Sequence, residues 1–386
     1  MSRELADRLK TRALELGFHR VGIATPDATA HMPFYRNWVA EGRHGEMGYL
    51  GRPDAVARRG NLAGTLEGVR SVVVVVQEYF VEDPVGVPDD PTLAVIARYA
   101  RGRDYHEIMG EGLNALWDWL EAEAPESVAA RAYVDTGPIL ERDLGRRAGL
   151  GWFGKNTMLI HPTRGSYFFL GVLLLDLALP PDAPFEATHC GTCTRCLDAC
   201  PTGALSGYDA DGAPVMEASR CISYLTIELR GAIPRDLRPL MGNRVFGCDI
   251  CQEVCPFSQR FSVPSSESAY SARPELDGAP LLELAERLLT LSGKGFVRTF
   301  AGSPLLRTGR KGLLRNVCVA LGNWGSEEAV ATLSAALSDP APLVRGHAAW
   351  ALGQVGSTDA MLALTARLEV EEDDWAESEI SAARGS

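Results

Sequence analysis

Eight of the nine cysteines in this chain of 386 residues lie between positions 190 and 255, at spacings that suit iron–sulfur chemistry. CGTCTRCLDACP at 190–201 has the pattern C-x-x-C-x-x-C-x-x-x-C-P, and CDICQEVCP at 248–256 is a shorter copy that also ends in Cys-Pro. Three thiolates at two-residue gaps can bind one face of a cubane, and the fourth cysteine reaches a second cluster. The spacing therefore predicts a ferredoxin-like module with two 4Fe–4S clusters.

The same spacing suggests how the ligands divide. The second motif lacks a third cysteine, and Cys221 is the available substitute. We expect the first cluster to be bound by Cys190, Cys193, Cys196 and Cys255, and the second by Cys200, Cys221, Cys248 and Cys251. Zinc is the alternative, but a zinc site would need only two C-x-x-C pairs and no trailing prolines. Cys318 lies in an apolar helical pattern, and we interpret it as a core residue.

The charge of the chain is unevenly distributed around a net value of −12. Residues 369–379 hold seven acids and no base, whereas residues 287–316, called the basic run below, hold seven bases and no acid. A basic face can bind nucleic acid even on an acidic protein, although basic side chains are also common on solvated surfaces. The candidate nucleic-acid contacts are Lys294, Arg298, Arg307, Arg310, Lys311 and Arg315.

The composition is that of a globular protein, with 46% hydrophobic and 23% charged residues. The N-terminus lacks the apolar segment that is typical of a signal peptide. The apolar stretches at 72–76 and 168–175 are too short to span a bilayer and are typical of buried strands. We therefore expect a cytoplasmic protein without a membrane partner.

The elements that must position these residues fall into three segments. Residues 1 to about 180 alternate helical and strand patterns, which predicts an α+β or α/β domain. Helices are expected near 3–16, 34–42, 104–123 and 138–147, and strands near 19–24, 70–77, 130–135 and 167–176. The predicted domains are a catalytic domain at 1–182, the two-cluster module at 183–262, a helical repeat domain at 276–370 and an acidic flexible tail at 371–386.

The third segment contains an internal repeat. VCVALGNWGSEEAV at 317–330 aligns with AAWALGQVGSTDAM at 348–361, an offset of 31 residues. Each copy has a helical pattern, a glycine-containing turn and a second helical pattern, which is typical of HEAT-like repeats. The repeats serve either as a structural helical hairpin or as a surface that binds a partner.

The first segment has no G-x-G-x-x-G fingerprint and no Walker loop, but it carries polar motifs at predicted strand ends. Two of them are VDTGPILER at 134–142 and GWFGKNTMLI at 151–160. Together with CDICQEVCP and the helical repeat, these motifs resemble the epoxyqueuosine reductase family over nearly the whole chain.

That resemblance implies reduction of epoxyqueuosine to queuosine at the wobble position of tRNA. It implies a nitroreductase-like domain that holds base-off cobalamin, as in reductive dehalogenases, and an external low-potential electron donor that reduces the clusters. The expected partner is the anticodon stem-loop of a tRNA with a queuosine-type wobble base. The proton donor of the family falls on Asp135, which residue patterns alone would make a helix N-cap; an acid role would need a pKa raised by burial.

The resemblance also suggests contacts to the cofactor or substrate. Tyr105 and His106 are expected to line the cavity, although His106 is equally consistent with a plain histidine at a helix start. DYHEIMG is one residue longer than the D-x-H-x-x-G cobalt-ligand motif, so we do not expect His106 to bind cobalt. Arg142 is expected to pair with Asp135 or to position the substrate. The other expected corrinoid contacts are Arg58 or Arg59, Arg98, Tyr99, Lys155, Asn156 and Ser166.

Two other classes of function fit part of the sequence. An electron-transfer protein without its own chemistry would need the clusters but no corrinoid. A reductive dehalogenase or corrinoid activator would share the corrinoid, and a dehalogenase would typically carry an export signal. The basic run and the lack of a twin-arginine leader favour the tRNA-modifying enzyme.

Overall fold

The computed structural model describes residues 2–83, 86–87 and 89–385. The chain forms two compact units, each assembled from separate stretches of sequence. The first unit comprises Met1–Val81, Arg103–Ser219 and Asp249–Ser271, and the second comprises Glu82–Gly102, Arg220–Cys248 and Ala272–Ser386. The two-cluster module predicted at 183–262 is therefore divided between the units.

The first unit combines helices with an antiparallel sheet. Its helices are α1 (Ser2–Glu15), α2 (Met32–Ala40), α3 (Pro53–Gly60), α4 (Tyr105–Glu123), α5 (Glu141–Arg147), α6 (Arg195–Asp198), α8 (Ile250–Glu253) and α9 (Pro256–Phe261). Its strands are β1 (Arg20–Ala24), β2 (Ser71–Glu78), β4 (Ala130–Tyr133), β5 (Trp152–Phe153), β6 (Leu159–Ile160), β7 (Phe168–Leu175), β8 (Leu205–Tyr208) and β9 (Pro214–Met216). The predicted helices and strands of this part are present within a few residues. Helix α3 and the short elements α6, α8, α9, β5, β6, β8 and β9 were not predicted.

The central sheet has the strand order β1-β2-β7-β4, and all of its neighbouring strands are antiparallel. Every residue of β2 is buried because helices cover both faces of the sheet, which explains an unbroken valine run instead of alternation. Val74 packs with Leu144 of α5 in one core. Val75 faces the other way, where Gly171 lets Met109 and Leu113 of α4 come close to the sheet. The α+β class is confirmed.

The second unit is mainly helical. Its helices are α7 (Ile222–Ile227), α10 (Leu281–Thr290), α11 (Gly293–Thr299), α12 (Gly309–Trp324), α13 (Val330–Ala336), α14 (Pro342–Val355), α15 (Thr358–Leu368) and α16 (Asp374–Arg384). Its strands β3 (Val95–Ile96) and β10 (Arg244–Phe246) pair in parallel. Within the described residues, no helix is long and apolar enough to cross a membrane.

The predicted repeat is present at the predicted spacing. Helix α12 ends at Gly325 and α14 ends at Gly356, both with left-handed backbones at φ 68° and 66°. A glycine is favoured at this position because it has no Cβ to clash in the left-handed conformation. Ser326 and Ser357 then cap the next helical segment through their side chains. Each copy is thus a helix–turn–helix unit, as predicted.

The prediction of a flexible acidic tail at 371–386 was wrong. Residues 374–384 form α16, whose Ala376, Ile380 and Ala383 are buried on one face. Glu379 is also buried, and its carboxylate pairs with Arg238 at 2.8 Å. The acidic composition is compatible with order because arginines of the second unit neutralise the buried acid.

Candidate active site and cluster sites

A cavity of about 440 Å³ opens in the first unit where β4 ends. Its wall is partly aromatic and apolar, which suits a large organic ligand. These apolar residues include Phe34, Tyr35, Trp38, Met47, Leu50, Phe153 and Met216. The ionisable side chains on the wall are His31, Arg59, Asp135, Glu141, Arg142 and Asp143. Of the residues expected from sequence, Asp135, Arg142 and Arg59 (the second of the Arg58 or Arg59 alternatives) line this cavity.

Asp135 lies in the loop between β4 and α5. Its carboxylate Oδ2 accepts a hydrogen bond from the Tyr105 hydroxyl at 2.9 Å, and His106 Nε2 lies 3.8 Å from the same oxygen. The Asp135 side chain is 65% exposed, so the protein does not bury it to the extent expected of a general acid. The N-cap alternative is excluded because α5 begins at Glu141 and its N-cap residue is Leu140.

The backbone of Asp135 is unusual. Its φ is +58°, in the left-handed region that residues other than glycine rarely adopt. Its N–H donates to Glu141 Oε1 at 2.6 Å. The loop is thus tied to the first residue of α5.

Two carboxyl groups on the first turn of α5, those of Glu141 and Asp143, line the cavity and have pKa values shifted in opposite directions. Burial and the negative charge of Asp135 raise the pKa of Glu141 to about 8, against the opposing effect of Arg142 and Arg59. Burial also disfavours the charge of Asp143, but its hydrogen bonds to His31 and Thr29 lower its pKa overall. The pKa values of these two neighbouring carboxyl groups are therefore shifted in opposite directions.

The start of α4 supplies Tyr105 and His106. Asp104 caps the helix by accepting the His106 N–H, and it also contacts His106 Nδ1 at 2.6 Å. The Tyr105 ring stacks between the rings of Phe169 and His106, each at a centroid distance of 4.1 Å. This stacking fixes the Tyr105 hydroxyl against Asp135.

Arg58, Arg98 and Tyr99 were also expected to touch a corrinoid. Arg58 is exposed, and its neighbour Arg59 faces the cavity. Arg59 shares a helix face with buried Ala55, four residues earlier on α3. Arg98 is in the second unit, where it is 7% exposed and pairs with Asp83. Tyr99 belongs to the same unit, and its ring lies 6.3 Å from that of Phe246.

Three further residues expected to contact a corrinoid form hydrogen bonds with the cysteine segments. The Lys155 ammonium donates to the carbonyl oxygens of Gly191 and Cys193 at 2.8 and 2.9 Å. Asn156 donates to the carbonyl of Cys251 at 3.1 Å. The Ser166 hydroxyl donates to Gln252 at 2.9 Å. Lys155 and Asn156 take these positions because the tight turn between β5 and β6 points toward the cysteines.

The first predicted cysteine set lines one cavity of about 100 Å³ in the first unit. Its wall contains Cys190, Cys193, Cys196 and Cys255, together with Ile160 and Phe257. Within the described part of the chain, no three His, Cys, Asp or Glu side chains form a group that could hold a single metal ion. A 4Fe–4S cubane fits the first set because it needs four thiolates around one cavity, and four cysteines line this one.

The second predicted set draws its cysteines from both units. Cys200 and Cys251 belong to the first unit, and Cys221 and Cys248 belong to the second. Cys200 Sγ accepts the Ala204 N–H at 3.3 Å. Cys318 is 1% exposed inside α12, so its interpretation as a core residue is confirmed.

Only some side chains of the basic run are exposed to solvent. Lys294, Arg298 and Lys311 are exposed. Arg307 is exposed but bound to Glu228, and Arg310 pairs with Asp339 at 2.6 Å.

The expectation for Arg315 was wrong. Its side chain is fully buried and donates to the carbonyl oxygens of Leu225, Leu229 and Gly231. Arg315 therefore cannot reach a nucleic-acid phosphate.

Sequence reasoning missed His31, Glu141 and Asp143 as cavity residues. Glu141 had a local signal, since it immediately precedes Arg142 in the motif at 134–142. His31 and Asp143 had none: they are 112 positions apart, and their 2.8 Å contact depends on tertiary folding.

Three family models match the chain. The model for a 4Fe-4S double cluster binding domain matches residues 189–258, and the one described as "Epoxyqueuosine reductase QueG, DUF1730" matches residues 59–136. A model for HEAT repeats matches residues 304–384. The chain therefore carries a 4Fe–4S double-cluster domain and HEAT repeats, as predicted.

The chain is also similar to named proteins over almost its full length. It is 42% identical to an epoxyqueuosine reductase of Pseudomonas aeruginosa, over 92% of this chain and 95% of that one. A crystal structure of epoxyqueuosine reductase with an epoxyqueuosine-modified tRNA-Tyr stem loop is 30% identical, with a TM-score of 0.89 over 99% and 98% of the two chains.

A structure of the Bacillus subtilis enzyme, described with its catalytic aspartate loop swung out of the active site, is 29% identical with a TM-score of 0.87. It covers 99% of this chain and 98% of that one. By the extent and identity of these matches, the chain is an oxidoreductase that belongs to the epoxyqueuosine reductase family.

Proposed function

We propose that this enzyme reduces epoxyqueuosine to queuosine at the wobble position of tRNA, with base-off cobalamin and with Asp135 as the proton donor. The observation that carries the proposal is a carboxyl group, Asp135, directed into a cavity of about 440 Å³ with a largely apolar wall. A relative crystallised with an epoxyqueuosine-modified stem loop supports the choice of substrate. A pure electron carrier would have no use for such a cavity.

The cavity wall fits a ligand with many hydrogen-bonding groups. Arg59 Nη1 and Thr157 Oγ1 are buried at the wall, with no hydrogen-bond partner among the described residues. Buried polar atoms are normally satisfied, so a bound group is expected to satisfy them. The amide arms of cobalamin offer such partners, and the aromatic side chains offer contacts for its ring.

The reaction consumes two electrons and two protons and releases the epoxide oxygen as water. Cobalamin without its lower ligand would supply a low-potential, electron-rich cobalt for this reduction. Asp135, in its protonated form, delivers one proton to the departing oxygen, and solvent supplies the second. The Tyr105 hydroxyl orients the Asp135 carboxyl group. Arg142 donates to the carbonyl of Thr157 and presents the rest of its cation to the cavity.

The clusters would pass electrons from an external low-potential donor. Cys190, Cys193, Cys196 and Cys255 would hold the first cluster, and Cys200, Cys221, Cys248 and Cys251 the second. The Lys155 ammonium donates to two carbonyl oxygens of the first cysteine loop, and its positive charge there favours the added negative charge of a reduced cluster. We assign the reaction to the cytoplasm, where tRNA is available.

The function is tested by incubating the anaerobic enzyme with tRNA that carries epoxyqueuosine, cobalamin and a chemical reductant. Nucleoside mass spectrometry should show loss of one oxygen atom from the modified base. Omitting cobalamin should abolish the conversion. Full conversion by enzyme shown to be free of corrinoid would refute the cofactor assignment.

We propose that the exposed side chains of the basic run, Lys294, Arg298 and Lys311, bind the phosphate backbone of the anticodon stem. Replacing Lys294, Arg298 and Lys311 with Glu should weaken tRNA binding and reduce the slope of log affinity against log salt. Each lost phosphate contact removes about 0.7 to 0.9 from that slope. The measurement is tRNA affinity between low and physiological salt.

The matched control replaces Arg3, Arg70 and Arg131 with Glu, which makes the same charge change at exposed positions of the first unit. It should leave the slope close to that of the wild type. Equal slopes for all three proteins would remove the basic run from the tRNA footprint, and would leave the HEAT repeats a structural role.

A further inference from the structure

We infer that Glu141 is a positioning residue, which holds the Asp135 loop in its working conformation by accepting the Asp135 N–H. The inference rests on the proposed function in one respect, the role of Asp135 as proton donor. Glu141 itself is not assigned a proton transfer.

The loop needs a restraint because its backbone is strained. Asp135 has a φ of +58°, and the Thr136 N–H donates to the Val134 carbonyl oxygen at 2.6 Å across it. Three-residue turns with a positive φ at the central residue are rare and strained. Such a conformation persists only where neighbouring groups over-determine it.

Glu141 is well placed to supply that restraint. Its Oε1 accepts the Asp135 N–H at 2.6 Å, and it is the first residue of α5, whose Leu144 is buried in the sheet core. The anchor is therefore on a rigid element, while the restrained residue is on a loop. Across the loop, a Cβ added at Gly137 would meet the Tyr133 ring at 2.3 Å, so the turn already packs tightly on its own strand.

The hydrogen bonds of Asp135 with Tyr105 and with Glu141 restrain different parts of the residue. Tyr105 holds the carboxyl group through its hydroxyl at 2.9 Å, and Glu141 holds the main chain. A side-chain contact alone would leave the backbone free to relax to a negative φ, which would carry the carboxyl group away from the cavity. A loop swung out of the active site is the state described for the Bacillus subtilis relative.

The role of Glu141 does not depend on its charge. Burial and the charge of Asp135 raise its pKa, while the hydrogen bond from the Asp135 N–H and the cations Arg142 and Arg59 act in the opposite direction. A carboxyl oxygen accepts the Asp135 N–H whether or not the group is protonated. Glutamine has the same shape and the same acceptor, so it should replace Glu141 at neutral pH.

The test compares Glu141→Leu, Glu141→Asp and Glu141→Gln in the cluster-loaded, full-length enzyme. Leucine removes the acceptor, and aspartate shortens the side chain so that the acceptor no longer reaches. For both variants we expect hydrogen–deuterium exchange of the 134–141 segment to rise about tenfold, on the order of one lost hydrogen bond. The turnover number should fall about 10- to 100-fold with little change in KM. Glu141→Gln should restore both quantities.

The matched control is Asp176→Leu. Asp176 also accepts a backbone N–H, from Ala129 at 2.9 Å, but it lies outside the cavity, so exchange at 134–141 and turnover should match the wild type. Unchanged exchange of 134–141 in both Glu141→Leu and Glu141→Asp, with iron content intact, would overturn the inference. So would a Gln variant that behaves like Leu. Failure of Asp135 as proton donor would show separately, as normal turnover in an Asp135 variant.

Discussion

Replacing Asp135 with asparagine is expected to lower the turnover number by roughly 100-fold or more, the loss typical of a missing general acid. Asparagine keeps an oxygen that can accept the Tyr105 hydroxyl, and its backbone can donate to Glu141 as before. Only the acidic proton is lost. Single-turnover conversion of epoxyqueuosine-containing tRNA measures the effect without interference from product release.

The variant should otherwise resemble the wild type in iron content, cobalamin binding and tRNA affinity. Asp176→Asn is a suitable control, because Asp176 does not line the cavity and asparagine keeps an oxygen that can accept the Ala129 N–H. Its turnover is expected to match that of the wild type. Near-normal turnover of Asp135→Asn would mean that the proton comes from another group or from water.

Local patterns predicted most of the fold because they report burial directly. The valine run of β2 indicated a strand buried on both faces, and the structure shows that it is covered by helices on both sides. The glycines at 325 and 356 marked equivalent helix ends 31 residues apart. The apolar helical pattern around Cys318 distinguished this residue from the cysteines that are predicted to bind clusters.

The wrong predictions for Arg315 and for residues 371–386 share one cause: the sequence shows that a side chain is charged but does not show which groups it pairs with. Arg315 belongs to a run without acids, yet its guanidinium satisfies buried carbonyl oxygens. Residues 371–386 were predicted to be flexible because they are acidic, yet Glu379 pairs with Arg238, 141 positions away. Burial of charged groups requires such distant partners, and a single sequence does not identify them.

The candidate active site was predictable only where a motif contained it. Asp135, Glu141 and Arg142 belong to one motif, but the motif did not show which carboxyl group would have a raised pKa. That difference arises from tertiary contacts, since His31 and Thr29 favour the charged form of Asp143. No such hydrogen bonds offset the burial of Glu141 enough to lower its pKa.

The largest loss of cofactor is expected from Cys255→Ala. Cys255 is 7% exposed and shares its cavity with Cys190, Cys193 and Cys196. Alanine leaves three thiolates for a cluster that needs four. Iron and sulfide should fall from about eight to about four per chain after anaerobic reconstitution. Turnover with an external donor should disappear, because the electron path would be broken.

Cys318→Ala is the matched control, because it removes a buried cysteine from α12 and should leave about eight irons. Cys221→Ala then tests the second ligand set, which rests on spacing alone. It should remove or damage one cluster and leave the first intact, and electron paramagnetic resonance of the reduced protein would distinguish which signal is lost. If Cys255→Ala and Cys221→Ala abolish the same signal, the two cysteines bind one cluster and the proposed division of ligands is wrong. If Cys221→Ala keeps both clusters at unchanged potentials, the second cluster has a ligand other than cysteine.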